Sequence, residues 1–298
     1  MVCKRKNNTK GVEKIGDSPD GCIHGKERLF HMKKIIVLVG VKGAGQKEFA
    51  PSAISENIRD AVEAYAVNDV TSPLYVIDPD GSRRKRRTLY NTAKGLNKNI
   101  QVDAVFFSKL LAESDATKGD YLALQVPRIG VDCDTLQVEG KSFFKFPVTD
   151  YDLRSVMAAA ADGLRAELSR IHEGHDNPHH LESIAQHIGM TIHLAPDNLK
   201  EVALFHDLGK SVAKTYYPEK GHSSYKGHAN VSAQYYLNYL AHHGGLTKTG
   251  LMQLEVIHQH MAAHDGISLR NAKSNRLEGH VLHLIDNFLF VDSRAKVI

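Results

Sequence analysis

The chain of 298 residues contains few cysteines, no tryptophan and no long apolar run. Its three cysteines, Cys3, Cys22 and Cys133, are odd in number and lack the spacing of a disulfide framework or of a Cys-x-x-Cys metal site. A reducing compartment fits this usage best. No stretch approaches 18 apolar residues, and the N-terminus lacks the apolar segment of a secretory signal. We therefore expect a cytoplasmic protein without a membrane partner.

A strong excess of one charge is also missing. The formal net charge is +4, and residues 1–31 supply +3 of it, with seven Lys/Arg against four Asp/Glu. The remaining chain is close to neutral, so its global charge does not argue for nucleic-acid binding. Residues 1–31 are polar and without periodicity, which predicts a disordered leader before Met32, where translation could also begin.

Residues 32–149 alternate between short β-branched or aromatic runs and helical segments. This alternation predicts an α/β domain with a parallel sheet. The predicted strands are 33–40, 74–78, 102–107 and 143–148, and the predicted helices are 54–65 and 84–96. From residue 150 the pattern changes to a long amphipathic helix over 151–171, followed by helices and loops. We therefore predict an all-α helical bundle over residues 150–298.

A glycine-rich segment follows the first predicted strand. Residues 40–48 read GVKGAGQKE, between a strand and a helix, which is the context of a phosphate-binding loop. Gly40 and Gly45 match the pattern GxxxxGK[ST], but Gln46 stands at its lysine position and Lys47 at its Ser/Thr position. Since glutamine cannot neutralise a phosphate and lysine cannot bind Mg²⁺, the loop is degenerate. Gly40, Gly45 and Lys47 stay weak candidates for nucleotide contact.

The most informative motif is His206-Asp207-Leu208-Gly209-Lys210, directly after the apolar run 202–205. Neighbouring imidazole and carboxylate groups can reach one divalent cation from the edge of a helix. Sixteen of the 18 histidines lie between His172 and His283, so other helices can supply further ligands. This ligand chemistry suits Mn, Fe, Co, Ni, Zn or Mg, and one or two ions.

Four spaced elements of the second half resemble the HD superfamily of metal-dependent phosphohydrolases. They are the segments 177–187, 203–210 and 221–233, and an aspartate in the late apolar helix, Asp286. By this resemblance, four residues hold a first metal, namely His187, His206, Asp207 and Asp286. His228 and His260 then bind a second metal or the phosphate. His180 is an alternative to His187, because it lies seven residues earlier, on the same face if one helix holds both.

The resemblance also implies roles in catalysis for Asp207, Lys210 and His228. Asp207 would bind metal and orient the attacking water, and Lys210 would pair with a phosphate oxygen and stabilise the transition state. Alternatively, Lys210 has no role in catalysis and is an ordinary lysine at a helix end, where its charge interacts favourably with the helix dipole. Gly209 would let the substrate approach the backbone closely.

The first half resembles P-loop polynucleotide-kinase-like proteins over about residues 33–149. The similarity lies in segment 74–87 and in Val126-Pro127-Arg128. The basic run Arg83–Arg87 either binds a phosphodiester backbone or forms a solvated helix face. Fusions of such kinase domains to HD domains process nucleic-acid ends, so this resemblance implies a nucleotide or nucleic-acid end as substrate.

The leading hypothesis is an enzyme that cleaves a phosphomonoester or cyclic phosphate by metal-activated water. One alternative is a bifunctional end-healing enzyme with a working kinase. The other is a non-catalytic sensor in which both halves bind nucleotide and neither turns over.

Overall fold

The computed structural model describes residues 32–78, 80–178, 180–264 and 277–297. The predicted leader, residues 1–31, lies outside these ranges.

Four parallel strands form a sheet in the order β2-β1-β3-β4. Their bounds are β1 Lys34–Gly40, β2 Leu74–Ile77, β3 Gln101–Phe107 and β4 Thr135–Glu139. The central strands β1 and β3 pair along their whole length, from Lys34 with Gln101 to Gly40 with Phe107. The sheet confirms the predicted α/β class, and β1, β2 and β3 lie within one residue of their predicted bounds.

The predicted strand over 143–148 is wrong. Phe143 and Phe144 are buried apolar residues, but they reach the core from an irregular segment in which the Phe143 amide donates to Asn238 Oδ1 at 2.8 Å. The fourth strand is β4, whose polar and apolar residues alternate at the sheet edge and so give a weaker signal than a buried run.

Four helices accompany the sheet: α1 Gln46–Phe49, α2 Ile58–Val67, α3 Arg83–Leu96 and α4 Lys118–Ala123. Val62 and Tyr65 of α2 and Ala93 of α3 share a core with Val37 and Val76 of the sheet. The opposite face carries a smaller cluster that includes Leu38, Ala53 and Phe107. Helix α2 begins four residues later than predicted, because Ile54 pairs with Val76 as an isolated bridge.

The second half is mainly helical. Its helices are α5 Leu153–Ala159, α6 Asp162–Glu167, α7 Ile184–Leu194, α8 Lys200–Phe205, α9 Lys210–Ala213, α10 His228–Tyr239, α11 Lys248–His264 and α12 Gly279–Asp292. The predicted continuous helix over 151–171 is broken after Ala159, since Ala160 pairs with Phe144. The half is not entirely helical either. Strands β5 Thr215–Tyr217 and β6 His222–Ser224 form an antiparallel hairpin around a turn that contains Pro218 and Gly221, and only β5 has strand-prone residues.

The two halves share one hydrophobic core, which runs from the sheet to α10 and α12. Helix α10 also bonds to the first half, because Asn230 donates to the Leu122 carbonyl at 2.8 Å and Gln234 to the Leu124 carbonyl at 3.1 Å. The predicted division into domains at residue 150 stays a prediction. No described helix combines the length and apolar character needed to cross a membrane.

Candidate metal centre

The His206-Asp207 pair lies at a break between two buried helices. Helix α8 is apolar from Val202 to Phe205 and packs inside the core, and residues 206–209 form the turn that leads into α9. The chain therefore carries both polar side chains into the interior, where His206 is 0% and Asp207 is 1% exposed. Such burial is unfavourable for charged groups unless they are paired or bind a cation.

Asp207 lies between two pairs of histidines and turns one carboxylate oxygen toward each pair. Its Oδ2 lies 3.3 Å from Nε2 of His187 and of His206. Its Oδ1 lies 3.1 Å from Nε2 of His228 and 3.7 Å from Nε2 of His260. Asp207 thus lies between two sets of nitrogen donors.

The first group consists of His187, His206 and Asp292. Asp292 Oδ1 lies 2.8 Å from His187 Nε2 and 3.3 Å from His206 Nε2. The second group consists of Asp207, His228 and His260, with the two Nε2 atoms 3.1 Å apart. In each group the donor atoms lie within 4.8 Å of one another, a separation compatible with a divalent metal.

Each of the four histidines is held in one tautomer by the backbone. The Nδ1 atoms of His187, His206, His228 and His260 lie 2.6–2.8 Å from carbonyl oxygens of Ala295, Ala203, Tyr225 and Ile257. A carbonyl only accepts, so we assign the proton to Nδ1 and a lone pair to Nε2. All four Nε2 atoms therefore face the centre, which is the arrangement typical of metal-binding histidines.

The charge balance differs between the two groups. Burial disfavours the His206 imidazolium, but Asp207 and Asp292 outweigh burial and raise the pKa of His206 to about 10. Burial also opposes the Asp207 carboxylate, yet His206 and Lys210 hold the pKa of Asp207 well below its usual value. For His260, burial exceeds the effect of Asp207 and lowers the pKa to about 4. Asp207 is thus negative and His260 neutral, as ligands to a cation must be, whereas His206 has to release a proton before its Nε2 can bind one.

Lys210 places a fixed positive charge beside the centre. Its ammonium lies 2.7 Å from Asp207 Oδ2, 3.3 Å from His175 Nε2 and 5.6 Å from the centre of the Tyr225 ring. His175 is itself oriented by the Glu182 carbonyl, 2.8 Å from its Nδ1. Lys210 is buried, which distinguishes it from a solvated helix-end lysine.

His180 does not belong to either of these two groups. Helix α7 begins after Ser183, which forms a capping box with Gln186, so His180 lies outside the helix that carries His187. His180 forms a third group with His175 and Glu182, in which its Nδ1 lies 2.6 Å from Glu182 Oε1. The geometry therefore brings His187, rather than His180, to His206 and Asp207.

Asp286 is exposed and is not brought to the centre. Asp292, six residues later on α12, occupies the position that the sequence prediction gave to Asp286. Six residues turn a helix by about 240°, so the two side chains cannot face the same point. The expectation for Asp286 is therefore corrected to Asp292.

Two glycines let helix α10 approach the centre. A Cβ atom on Gly209 would lie 2.3 Å from the His228 carbonyl oxygen, so Gly209 serves the packing of α10 rather than access of substrate. Gly227, at φ 86°, caps α10, and a Cβ there would lie 2.7 Å from the Leu122 carbonyl oxygen. Both contacts fix the position of His228.

The glycine-rich loop of the first half is closed by its own side chains. Gln46 is buried and donates to the Val41 carbonyl at 3.2 Å. Lys47 donates to the Ala53 carbonyl at 2.7 Å, and the following helix, α1, has only four residues. A Cβ on Gly40 would lie 2.8 Å from Gln46 Nε2, so Gly40 accommodates the glutamine. Gly45 adopts φ 108°, a backbone conformation that favours glycine. The presence of glycine here is therefore explained without a bound nucleotide.

The basic run Arg83–Arg87 is neither a continuous phosphate-binding patch nor a fully solvated face. Arg83 bonds to Glu255 of α11 at 2.9 Å, and Arg86 is 2% exposed between Asp78 and Asp132. Arg84 and Lys85 are exposed.

Sequence reasoning missed Asp292, His175 and Glu182. Asp292 could have been found as the acidic residue that ends the last apolar helix. Comparisons of the chain with protein-family models, with curated proteins and with solved structures gave no match. The HD and P-loop assignments made from the motifs therefore stay predictions.

Proposed function

We propose that the second half is an HD-type metal-dependent phosphohydrolase. Its substrate would be a phosphomonoester or cyclic phosphate of a nucleotide or nucleic-acid end, as the motif resemblance implies. The observation that carries the proposal is the convergence of four Nε2 atoms, each on a ring held through Nδ1 by a backbone carbonyl, on Asp207 and Asp292. The Nε2 atoms lie 3.1 Å apart in His228–His260 and 3.4 Å apart in His187–His206, separations at which one cation can bind both rings of a pair.

The donor set fits two divalent cations. His187, His206 and Asp292 would hold one, His228 and His260 the other, and Asp207 offers one oxygen to each. A bound divalent cation supplies Lewis acidity toward water and toward phosphoryl oxygens. Mixed imidazole and carboxylate donors suit Mn, Fe, Co, Ni or Zn better than Mg, which prefers oxygen ligands.

The chain's own residues contribute fixed charge. Lys210 can leave Asp207 Oδ2 to meet a substrate phosphate oxygen, and His175 and Tyr225 keep its ammonium next to the centre. A positive group already oriented in a buried site stabilises charge that develops in the transition state.

The first half gives little support to a working kinase. Gln46 and Lys47 are bonded to the backbone carbonyls of Val41 and Ala53, and α1 is too short to act as a phosphate-binding helix terminus. Both features argue against the bifunctional alternative.

The test is phosphate release by the full chain loaded with Mn²⁺. Substrates are nucleoside 2′-, 3′- and 5′-monophosphates, 2′,3′-cyclic nucleotides and RNA ends with terminal phosphates. We expect turnover of at least one class, lost in Asp207→Asn and retained in Asp286→Asn. A folded, metal-loaded protein that releases no phosphate from the whole panel contradicts catalysis and leaves the sensor hypothesis.

A further inference from the structure

The two histidines of the second ligand group take their positions from the helices that carry them. Nδ1 of His228 bonds to the Tyr225 carbonyl and Nδ1 of His260 to the Ile257 carbonyl, in each case three residues earlier in the chain. Each ring is therefore tied to its own segment, α10 or α11. Metal–nitrogen bonds in proteins are about 2.0–2.1 Å long and tolerate little deviation, so one cation binds both Nε2 atoms only if the two helices are accurately placed.

Helix α10 is docked on the first half through a stripe of three amide side chains. They are spaced by four residues, so they lie on one face of the helix, and they are Asn230, Gln234 and Asn238. The amides donate to backbone carbonyls of the first half at 2.8–3.2 Å, namely those of Leu122, Tyr121, Leu124 and Lys141. Gln234 is 3% and Asn238 is 0% exposed, so most of these bonds are buried, where an unmade hydrogen bond is costly.

Helix α11 is docked on the first half through Glu255. The Glu255 carboxylate is buried, and Arg83 of α3 lies 2.9 Å from it. Arg128, also in the first half, lies 3.7 Å from it. Glu255 Oε1 further accepts from Gln259, the residue before His260, at 3.0 Å. Because a buried carboxylate without its cation is strongly unfavourable, the ion pair holds this turn of α11 on α3.

The first ligand group is supported within the second half. His187 bonds to the Ala295 carbonyl and to Asp292, and His206 bonds to the Ala203 carbonyl three residues earlier. Weakened docking of α10 or α11 on the first half should therefore reduce the affinity for the second ion more than the affinity for the first.

We propose that the first half is a positioning scaffold for the second metal ion. The amide stripe holds α10 and the Arg83–Glu255 pair holds α11, so both helices are placed against the same part of the chain. Their placement sets the distance of 3.1 Å between the Nε2 atoms of His228 and His260. The first half thereby has a role that needs no nucleotide at its glycine-rich loop. This role rests on the two-ion centre of the proposed function, but not on hydrolysis.

Calorimetric titration of the metal-free full chain with Mn²⁺ tests the role in Gln234→Met, which keeps the length of the side chain and removes its donor. We expect the first ion to bind as in the wild type. The second should bind at least about tenfold more weakly, the lower end of the loss typical when a residue that orients a ligand is replaced. The matched control is Gln46→Met. Gln46 is also buried and bonded to a backbone carbonyl, but it lies in the glycine-rich loop, so both affinities should stay unchanged.

The affinities for the two ions separate positioning from general destabilisation. Equal loss of both affinities in Gln234→Met, or weaker binding of the second ion in Gln46→Met as well, overturns the inference. Wild-type affinity for both ions in Gln234→Met, or a wild-type chain that binds fewer than two ions, also overturns it. Phosphate release is measured separately, so a wild-type chain that binds two ions and releases no phosphate contradicts the proposed hydrolysis alone.

A milder variant, Asn230→Ala, decides if Gln234→Met does not fold. Asn230 is half-buried and donates one bond to the Leu122 carbonyl, at 2.8 Å, so its loss should leave the fold intact. We expect the second ion to bind at least about threefold more weakly and the first ion to bind as before. Unchanged binding of the second ion in Asn230→Ala overturns the inference.

Discussion

His187 Nε2 lies 2.8 Å from Asp292 Oδ1, although 105 residues separate the two in sequence. The contact joins α7 to the end of α12 and completes the first ligand group with His206. The His187 ring is held from its other side by the Ala295 carbonyl, which follows Asp292 by three residues. The last helix therefore both supplies a carboxylate and orients its imidazole partner.

Replacement of His260 should remove one bound metal ion and leave the other in place. His260 belongs to the second group alone, and its Nε2 lies 3.1 Å from His228 Nε2. We expect His260→Ala to reduce bound Mn²⁺ from two equivalents to one, measured by native mass spectrometry. His283→Ala, at an exposed position on α12, should leave the content unchanged. Loss of both ions in a folded His260→Ala protein would contradict two separable groups.

Lys210→Met should reduce phosphohydrolase activity on the order of 100-fold, the loss typical for one oriented donor in a transition state. Its metal content should stay at the wild-type level, because the ammonium is not a ligand. The control variant is Lys220→Met. The Lys220 ammonium lies over the Tyr217 ring on the hairpin. Steady-state kinetics and elemental analysis on the same samples distinguish this role from a structural one, in which metal would be lost as well.

Arg83→Met should destabilise the fold by about 3 kcal/mol, because it leaves the buried Glu255 carboxylate without its closest partner. Arg128, 3.7 Å from Glu255, limits the loss. Arg84→Met, one residue later and exposed, should change the free energy of unfolding by less than about 0.5 kcal/mol. Urea unfolding of the two variants measures the difference in the free energy of unfolding. Equal values would show that the ion pair between Arg83 and Glu255 contributes little.

Two glycine substitutions should have opposite effects. Gly209→Ala places a methyl group against the His228 carbonyl and should cost about 1–3 kcal/mol or more. Gly189 lies inside α7 with no atom near its added Cβ, so Gly189→Ala should stabilise the protein by about 0.5–1 kcal/mol. Thermal unfolding tests both, and a neutral Gly209→Ala would contradict the close approach of α10.

The sequence was sufficient where local pattern determines structure. Short β-branched runs predicted β1, β2 and β3, because strands buried on both faces need little else. The His206-Asp207 pair stood out since its two residues are adjacent, and the histidine-dense half identified His187, His228 and His260 as further candidates. The structure brings these five residues together.

The sequence was insufficient where a position depends on distant packing. Asp286 and Asp292 lie on one helix, and only the rotation of α12 against α7 decides which carboxylate reaches His187. The role of His175 depends on the long-range approach of Lys210. In the glycine-rich loop, the pattern alone could not reveal that the Gln46 side chain is buried and bonded to the Val41 carbonyl.

The most direct test of the metal centre is elemental analysis of Asp292→Asn beside Asp286→Asn. The two variants make the same chemical change on the same helix, but only Asp292 touches His187 and His206. We predict that Asp286→Asn keeps the wild-type metal content and that Asp292→Asn loses at least one equivalent. Equal metal content in both variants, or loss in Asp286→Asn alone, would contradict the proposed ligand set.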